Sequence, residues 1–295
     1  MRTGGKGGFR GHYGVPALIG DRRITPANDR VAAIELSGRV ESLRLVEGDW
    51  LRCRSAVAPL LNSPNGGMDS QLLFGERFRV LEVRSGWAFG QMERDNYVGF
   101  VGNDHLGPDN QPTHKVNSLW TQIYAKPEVR SLPTVSIPLG SRLEIKEQTA
   151  CGAFLQLKDG GFVPAAHVGP ATDKLFDHVG FAELYLGTPY LWGGNSPAGI
   201  DCSGLAQMAL IAAGEMCPRD SDMQQAGIGE WVPNLKQPHR GDLVFWRGHV
   251  GIMLDAETML HATGHHMAVV REPLAEVIAR IETQGVAQFQ GLKRL

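Results

Sequence analysis

The stretch GIDCSGLAQ, residues 199–207, sets a cysteine between an aspartate and a serine and then runs on into the apolar series MALIAAG. Asp201 is a good N-cap type, because its side chain can accept the orphan N–H groups of a first helical turn. Leu205, Ala209 and Ala212 follow at helical spacing. The stretch therefore predicts a buried helix with the Cys202 thiol on its first turn. A helix N-terminus favours an anion, so the nucleophilic thiolate is expected to be stabilised below the ordinary thiol pKa of about 8.5. A lone cysteine in an apolar helix is more often a core residue, and Cys217 is read that way.

Two downstream histidines separate Cys202 from a core thiol. GDLVFWRGHVGIML places His249 at the start of an apolar strand after a glycine turn, and TMLHAT places His261 on the next strand. Neighbouring antiparallel strands would bring the two imidazoles side by side. That gives a thiol, a base, and a third polar group that fixes the base's tautomer, the requirements of thiol catalysis. Upstream, TDKLFDHVGFAELYLG has helical spacing at Leu175, Val179, Ala182 and Leu186, with Thr172 or Asp173 as cap. MAVVRE reads as a further strand, LAEVIARI as a short helix and QFQGLKRL as a closing strand. Helices first and antiparallel strands later is an α+β arrangement.

Before this region the texture is all β. FRVLEV, a turn at Ser85-Gly86, WAFGQM, a turn at Asp95-Asn96 and YVGFV read as a small antiparallel barrel. The theme recurs at an offset of about 65 residues: PLGSRLEIKE matches LFGERFRVLE, and GGFVPAAHV matches NYVGFVGNDHL, which sets Phe162 opposite Tyr97. The expected organisation is a tail over 1–34, β-barrels over 35–109 and 110–170, and an α+β domain over 171–295. The early GGKGG lacks the trailing Ser or Thr of a phosphate loop and reads as flexible tail.

Composition narrows the function. The chain has 295 residues, 42% of them hydrophobic, and 29 basic against 31 acidic side chains, so charge offers no attraction to nucleic acid or an anionic membrane. Neither is expected as a partner. The four cysteines, Cys53, Cys151, Cys202 and Cys217, form no C-x-x-C pair, which argues for a reducing compartment rather than a disulfide scaffold or a thiolate zinc site. The first twenty residues hold no long apolar run, and the expected location is cytoplasmic. His261, His265 and His266 are not expected to hold a metal, since Gly264 breaks the helical spacing and no cysteine or carboxylate joins them. No cofactor is expected.

TPYLWGGNSPAGIDCSGLAQ, PRDSDMQ, RGDLVFWRGHVGIM and MLHAT, in that order, resemble the NlpC-like cysteine peptidases of bacterial cell walls. The resemblance implies a papain-like catalytic domain with Cys202 as nucleophile, His249 as general base and acid, His261 orienting His249, and Tyr190 assisting at the oxyanion. The two N-terminal units resemble bacterial SH3 domains. Together these imply the branch that cleaves the bond from γ-D-glutamate to a diamino acid in small murein peptides, where the first barrel closes the groove and a free N-terminal L-alanine is required. Asp201, Ser203 and Ser221, with Tyr97 from the first barrel, would hold its amine. The loop NSPNGGMD lacks a glutamate at this end of the groove, and Asp69 is the nearest acid. Two rival readings are a non-catalytic module that binds wall fragments, and a general peptidoglycan endopeptidase or amidase acting on polymer, which needs no amine-binding Asp201 and Tyr97.

Overall fold

The computed structural model describes residues 20–40, 44–174, 177–233, 237–285 and 287–295. The first β unit is a seven-stranded sheet built from residues 49–108, and Leu60, Leu72, Phe78, Ala88, Met92 and Val101 fill its interior. Its hairpins follow the turn chemistry of the sequence. Ser85 (φ +49°) and Gly86 (φ +82°) both take the left-handed region that a tight two-residue hairpin needs between Arg84 and Trp87.

The second β unit, His114–Val116 to Val168–Pro170, forms a five-stranded and a three-stranded sheet. It repeats details of the first. The one-turn helices Asn103–His105 and Ala165–His167 each lead into a short strand, and each presents a histidine to a hydroxyl: His105 to Ser55 at 2.8 Å, His167 to Thr121 at 2.9 Å. Matching these helices sets Phe162 opposite Phe100, which corrects the expected pairing of Phe162 with Tyr97. The turn before this strand is shorter in the second unit, so the offset shrinks along the repeat.

The tail expected over 1–34 is folded from Asp21 onward; residues 1–19 lie outside the described residues. Val31–Ala33 pairs in parallel with Arg44–Val46, and Val31 and Ala33 pack on Leu81, Phe89 and Val98 of the first unit. A three-residue strand is too short to register as periodicity, and only the barrel surface gives it a partner.

The remaining chain is a six-stranded antiparallel sheet flanked by helices. Its spatial order is Glu230–Trp231, Phe289–Arg294, Leu243–Trp246, His249–Met253, Thr258–Thr263, Ala268–Pro273. Alternation along these strands divides them between two cores. Leu243, Phe245, Val250 and Ile252 face α2 (Cys202–Ala213) through Leu205, Ala206, Ala209 and Leu210, while Val244, Trp246 and Met253 face α4 (Leu274–Gln284) through Val277. Helix α1 (His178–Glu183) is capped by Asp177, which accepts from the Val179 N–H at 3.0 Å; Thr172 and Asp173 do not cap it, and Leu175 lies outside the described residues. Leu73 and Leu139 of the β units join the α2 core, so these units dock on the domain that carries Cys202.

Candidate active site

Asp201 caps α2 as its sequence position predicts, with φ −98° and ψ 177°, accepting the Gly204 N–H at 2.7 Å. Gly204 is a necessity. A Cβ there would stand 2.3 Å from the Gly194 carbonyl oxygen, so only glycine lets the 188–195 loop lie on the first turn beside Cys202. Cys202 is 8% exposed, and the backbone N–H of Val250, next to His249, points to its sulfur.

The strand positions of the histidines follow from the hairpin between Leu243–Trp246 and His249–Met253, closed by Gly248 at φ +78°. His249 Nε2 lies 2.8 Å from His261 Nδ1, with the ring centroids 5.1 Å apart and the ring planes inclined at 65°. Since Nε2 is engaged, Nδ1 is the ring nitrogen of His249 that remains for another partner. Beyond His261 stands Glu272, its Oε2 2.8 Å from His261 Nε2.

The resting charge state differs from the sequence expectation of a depressed thiol pKa. Burial, reinforced by Asp201, pushes the Cys202 thiol up to about 12, outweighing the N–H groups of Val250 and Ser203 that favour thiolate. Burial next to His261 holds His249 down at about 3, so its imidazole is neutral. Arg219, whose charge favours the thiolate, is committed to Asp201 and Ser203. Both groups are therefore neutral at rest, so a thiolate would form only as a base takes the proton during attack.

Asp201, Cys202, Ser203, Ser221, Tyr97 and Tyr190 all line one pocket of about 350 Å³, together with Asp69, Asp220 and Arg22. Burial and the neighbouring Cys202 and Asp201 raise the Tyr190 hydroxyl above its ordinary pKa, so it remains a neutral donor. Two expected roles are corrected by what surrounds them. Asp201 faces Arg219, which is 1% exposed, through bonds of 2.9 Å and 2.7 Å, and also accepts the N–H groups of Gly193 at 2.8 Å and of Gly204. Ser203 accepts from Arg219 at 2.9 Å. The Asp201 carboxylate is thus spent on a buried counter-ion and on two backbone amides, which leaves it no lone pair for a substrate amine.

Asp220, which sequence reading passed over, is the carboxylate with room. Tyr97 donates its hydroxyl to Asp220 Oδ2 at 2.9 Å and Arg23 donates to the same oxygen at 2.8 Å; among the described residues Oδ1 accepts no hydrogen bond. Arg23 comes from the segment expected to be tail and binds Asp21 and Asp222 as well. Burial raises the Asp220 pKa above its ordinary value, and its hydrogen bonds and the nearby arginines only partly offset this. PRDSDMQ carries both Arg219 and Asp220, but a guanidinium in a polar run gives no sequence sign of complete burial.

Comparison with known proteins identifies the family. The NlpC/P60 family model matches residues 187–286, and a model described as the bacterial dipeptidyl-peptidase Sh3 domain matches residues 60–106. The chain is 39% identical over 242 residues to the gamma-D-glutamyl-L-lysine dipeptidyl-peptidase of Bacillus subtilis, covering 72% of this chain and 78% of that one. The chain belongs to the NlpC/P60 family. This NlpC/P60 protein is also 27% identical over 220 residues to dipeptidyl-peptidase 6 of Lysinibacillus sphaericus, covering 65% of this chain and 79% of the relative. A solved NlpC/P60 family protein from Bacillus cereus shares the fold at a TM-score of 0.70 and 18% identity, over 83% of this chain and 99% of that one. The protein is a cysteine peptidase with a papain-like NlpC/P60 domain and an SH3 domain.

Proposed function

We propose that this NlpC/P60 peptidase cleaves the bond between γ-D-glutamate and a diamino acid in short murein peptides that carry a free N-terminal L-alanine. The observation that carries the reading is the pocket wall formed against the first β unit. There Tyr97 and Arg23 hold Asp220 with one oxygen open, and Asp69 adds a second carboxylate. A pocket whose end presents acids fits a small substrate with a terminal ammonium, since a desolvated ammonium needs carboxylate and further acceptors. The Bacillus subtilis relative, named as a gamma-D-glutamyl-L-lysine dipeptidyl-peptidase, supports the same substrate class.

Catalysis then runs on the residues described. The ammonium docks at Asp220, which sets the γ-carbonyl of the glutamate over Cys202. The sulfur attacks as its proton passes to His249 Nδ1, and the Tyr190 hydroxyl with the N–H groups of the first turn of α2 receives the developing oxyanion. Collapse expels the diamino acid amine, which takes the proton back from His249. Water, deprotonated by the same imidazole, then hydrolyses the thioester. We read the second β unit as a diverged copy of the SH3 unit that acts as a spacer without a substrate tyrosine. The exposed free thiol of Cys151 fits a reducing, cytoplasmic setting, and peptide recycling is the matching role.

The test is product identification by mass after incubation with L-Ala-γ-D-Glu-diaminopimelate, alongside a Cys202→Ser variant. The expected products are L-Ala-γ-D-Glu and free diaminopimelate with the native protein and none with the variant. Cleavage of a different bond would refute the reading.

A further inference from the structure

Glu272 lies on the last strand of the sheet, Ala268–Pro273, and is 9% exposed. Nothing in the reaction so far uses it, yet it is the most heavily bound carboxylate around the histidines. Arg280, in the second turn of α4, grips both oxygens, Oε1 at 2.5 Å and Oε2 at 2.8 Å; Oε2 also meets His261 Nε2 at 2.8 Å, and His266 Nε2 stands 3.3 Å from Oε1. A strand, a helix and the turn at 264–267 thus converge on one carboxylate directly behind the catalytic imidazoles. The charged and titratable groups that face it are Arg280, His261 and His266, and Glu276 acts on it through Arg280.

The hydrogen bonds fix a direction. With Arg280 on both oxygens the Glu272 carboxylate is ionised and can only accept, so His261 Nε2 must carry the hydrogen that lies between them. A neutral imidazole with Nε2–H has a bare Nδ1, and His261 Nδ1 therefore accepts from His249 Nε2. His249 is then left with Nδ1 bare, which is the form a general base facing the thiol requires. When His249 takes the thiol proton, the positive charge it gains is stabilised through His261 by the fixed carboxylate.

We infer that Glu272, clamped by Arg280, is a positioning residue that sets the tautomers of His261 and His249 and steadies the imidazolium formed during attack. The inference rests on Cys202 and His249 as the reacting pair and not on which peptide is cleaved. It extends the Cys-His-His set by a carboxylate that touches neither substrate nor sulfur.

Alkylation of Cys202 by iodoacetamide gives a readout that needs no substrate, because it too requires the thiol proton to reach His249. Glu272→Gln keeps the size and removes the charge. The expected result is a fall of about 10- to 100-fold in both alkylation rate and kcat, with KM little changed, and a shift of the acid limb of the alkylation profile to lower pH. Glu272→Asp, which keeps the charge on a shorter stem, should recover part of the rate. Nitrogen NMR of the histidine rings in the native protein should show hydrogen on Nε2 of both His249 and His261, a signature that requires no variant to fold. Hydrogen on Nδ1 of either ring, or a Glu272→Gln protein with unchanged alkylation rate and acid limb, would overturn the inference. Normal alkylation behaviour of this kind with no cleavage of L-Ala-γ-D-Glu-diaminopimelate would instead overturn the proposed substrate and leave the role of Glu272 standing.

Discussion

Replacing Asp220 by asparagine separates recognition of the ammonium from the stability of the pocket. The native carboxylate is 26% exposed on its side chain, takes Tyr97 at 2.9 Å and Arg23 at 2.8 Å on one oxygen, and among the described residues accepts nothing on the other. A hydrogen bond between charged partners is worth about 1.5–3 kcal/mol, and partial exposure puts this one at the lower end. At about 1.4 kcal/mol per factor of ten, kcat/KM for a free-amine peptide should fall about 10- to 30-fold. The fold should hardly respond. Arg23 keeps Asp21 at 2.6 Å and Asp222 at 2.7 Å, and the Tyr97 hydroxyl can donate to the new amide oxygen, so the stability loss should stay below about 1 kcal/mol. The assay is kcat/KM for L-Ala-γ-D-Glu-diaminopimelate and its N-acetyl derivative in both proteins. The native protein should prefer the free amine strongly, and Asp220→Asn should lose most of that preference by slowing on the free-amine peptide alone. Full retention of the preference, or an equal loss on both peptides, would refute the assignment of Asp220 as the ammonium acceptor.

Asp201→Asn should act on the fold instead, because it strands Arg219 at 1% exposure; urea titration should show a loss of about 3–5 kcal/mol. Tyr97→Phe removes one donor from Asp220 and should lower kcat/KM for the free-amine peptide by about three- to tenfold, equivalent to about 0.7–1.4 kcal/mol, with the N-acetyl peptide unaffected. The pH profile follows from the shifts. His249, held at about 3, and Cys202, pushed up to about 12, stay neutral across the range from about pH 5 to 9, so neither should give a limb there. Asp220, with a raised pKa, must be ionised to hold the ammonium and should give the acid limb, which Asp220→Asn should abolish. The substrate amine, with a pKa of about 8, should give the alkaline limb.

The parts of the site legible in the sequence are those fixed by local order. Cys202 follows its own N-cap, His249 follows a glycine turn, and His261 stands on the next strand, so each position could be read from a few neighbouring residues. The parts that escaped reading depend on burial and on distant pairing. Asp201 looks like a free acid beside a nucleophile until Arg219 is placed against it, and nothing in PRDSDMQ marks that arginine as buried. Glu272 sits in the strand exit VVREPL and acquires meaning only when α4 folds back to bring Arg280 onto it. Arg23 lies in a segment without periodicity, and its three carboxylate partners come from that segment and from the start of α3 (Ser221–Gly227). The thiol pKa is hidden from the sequence for the same reason, since a helix N-terminus can be read there but the desolvation that outweighs it cannot. The pairing of Phe162 with Tyr97 failed because a shortened turn changes the offset within the repeat.

On the proposed reading, the acidic end of the pocket confines this peptidase to small peptides with a free terminal amine. Mass analysis of digests of L-Ala-γ-D-Glu-diaminopimelate and of intact polymeric peptidoglycan, under the same conditions, tests it most directly. The account predicts L-Ala-γ-D-Glu and diaminopimelate from the tripeptide and no soluble fragments from the polymer. Release of fragments from the polymer at a rate comparable to tripeptide cleavage would contradict it.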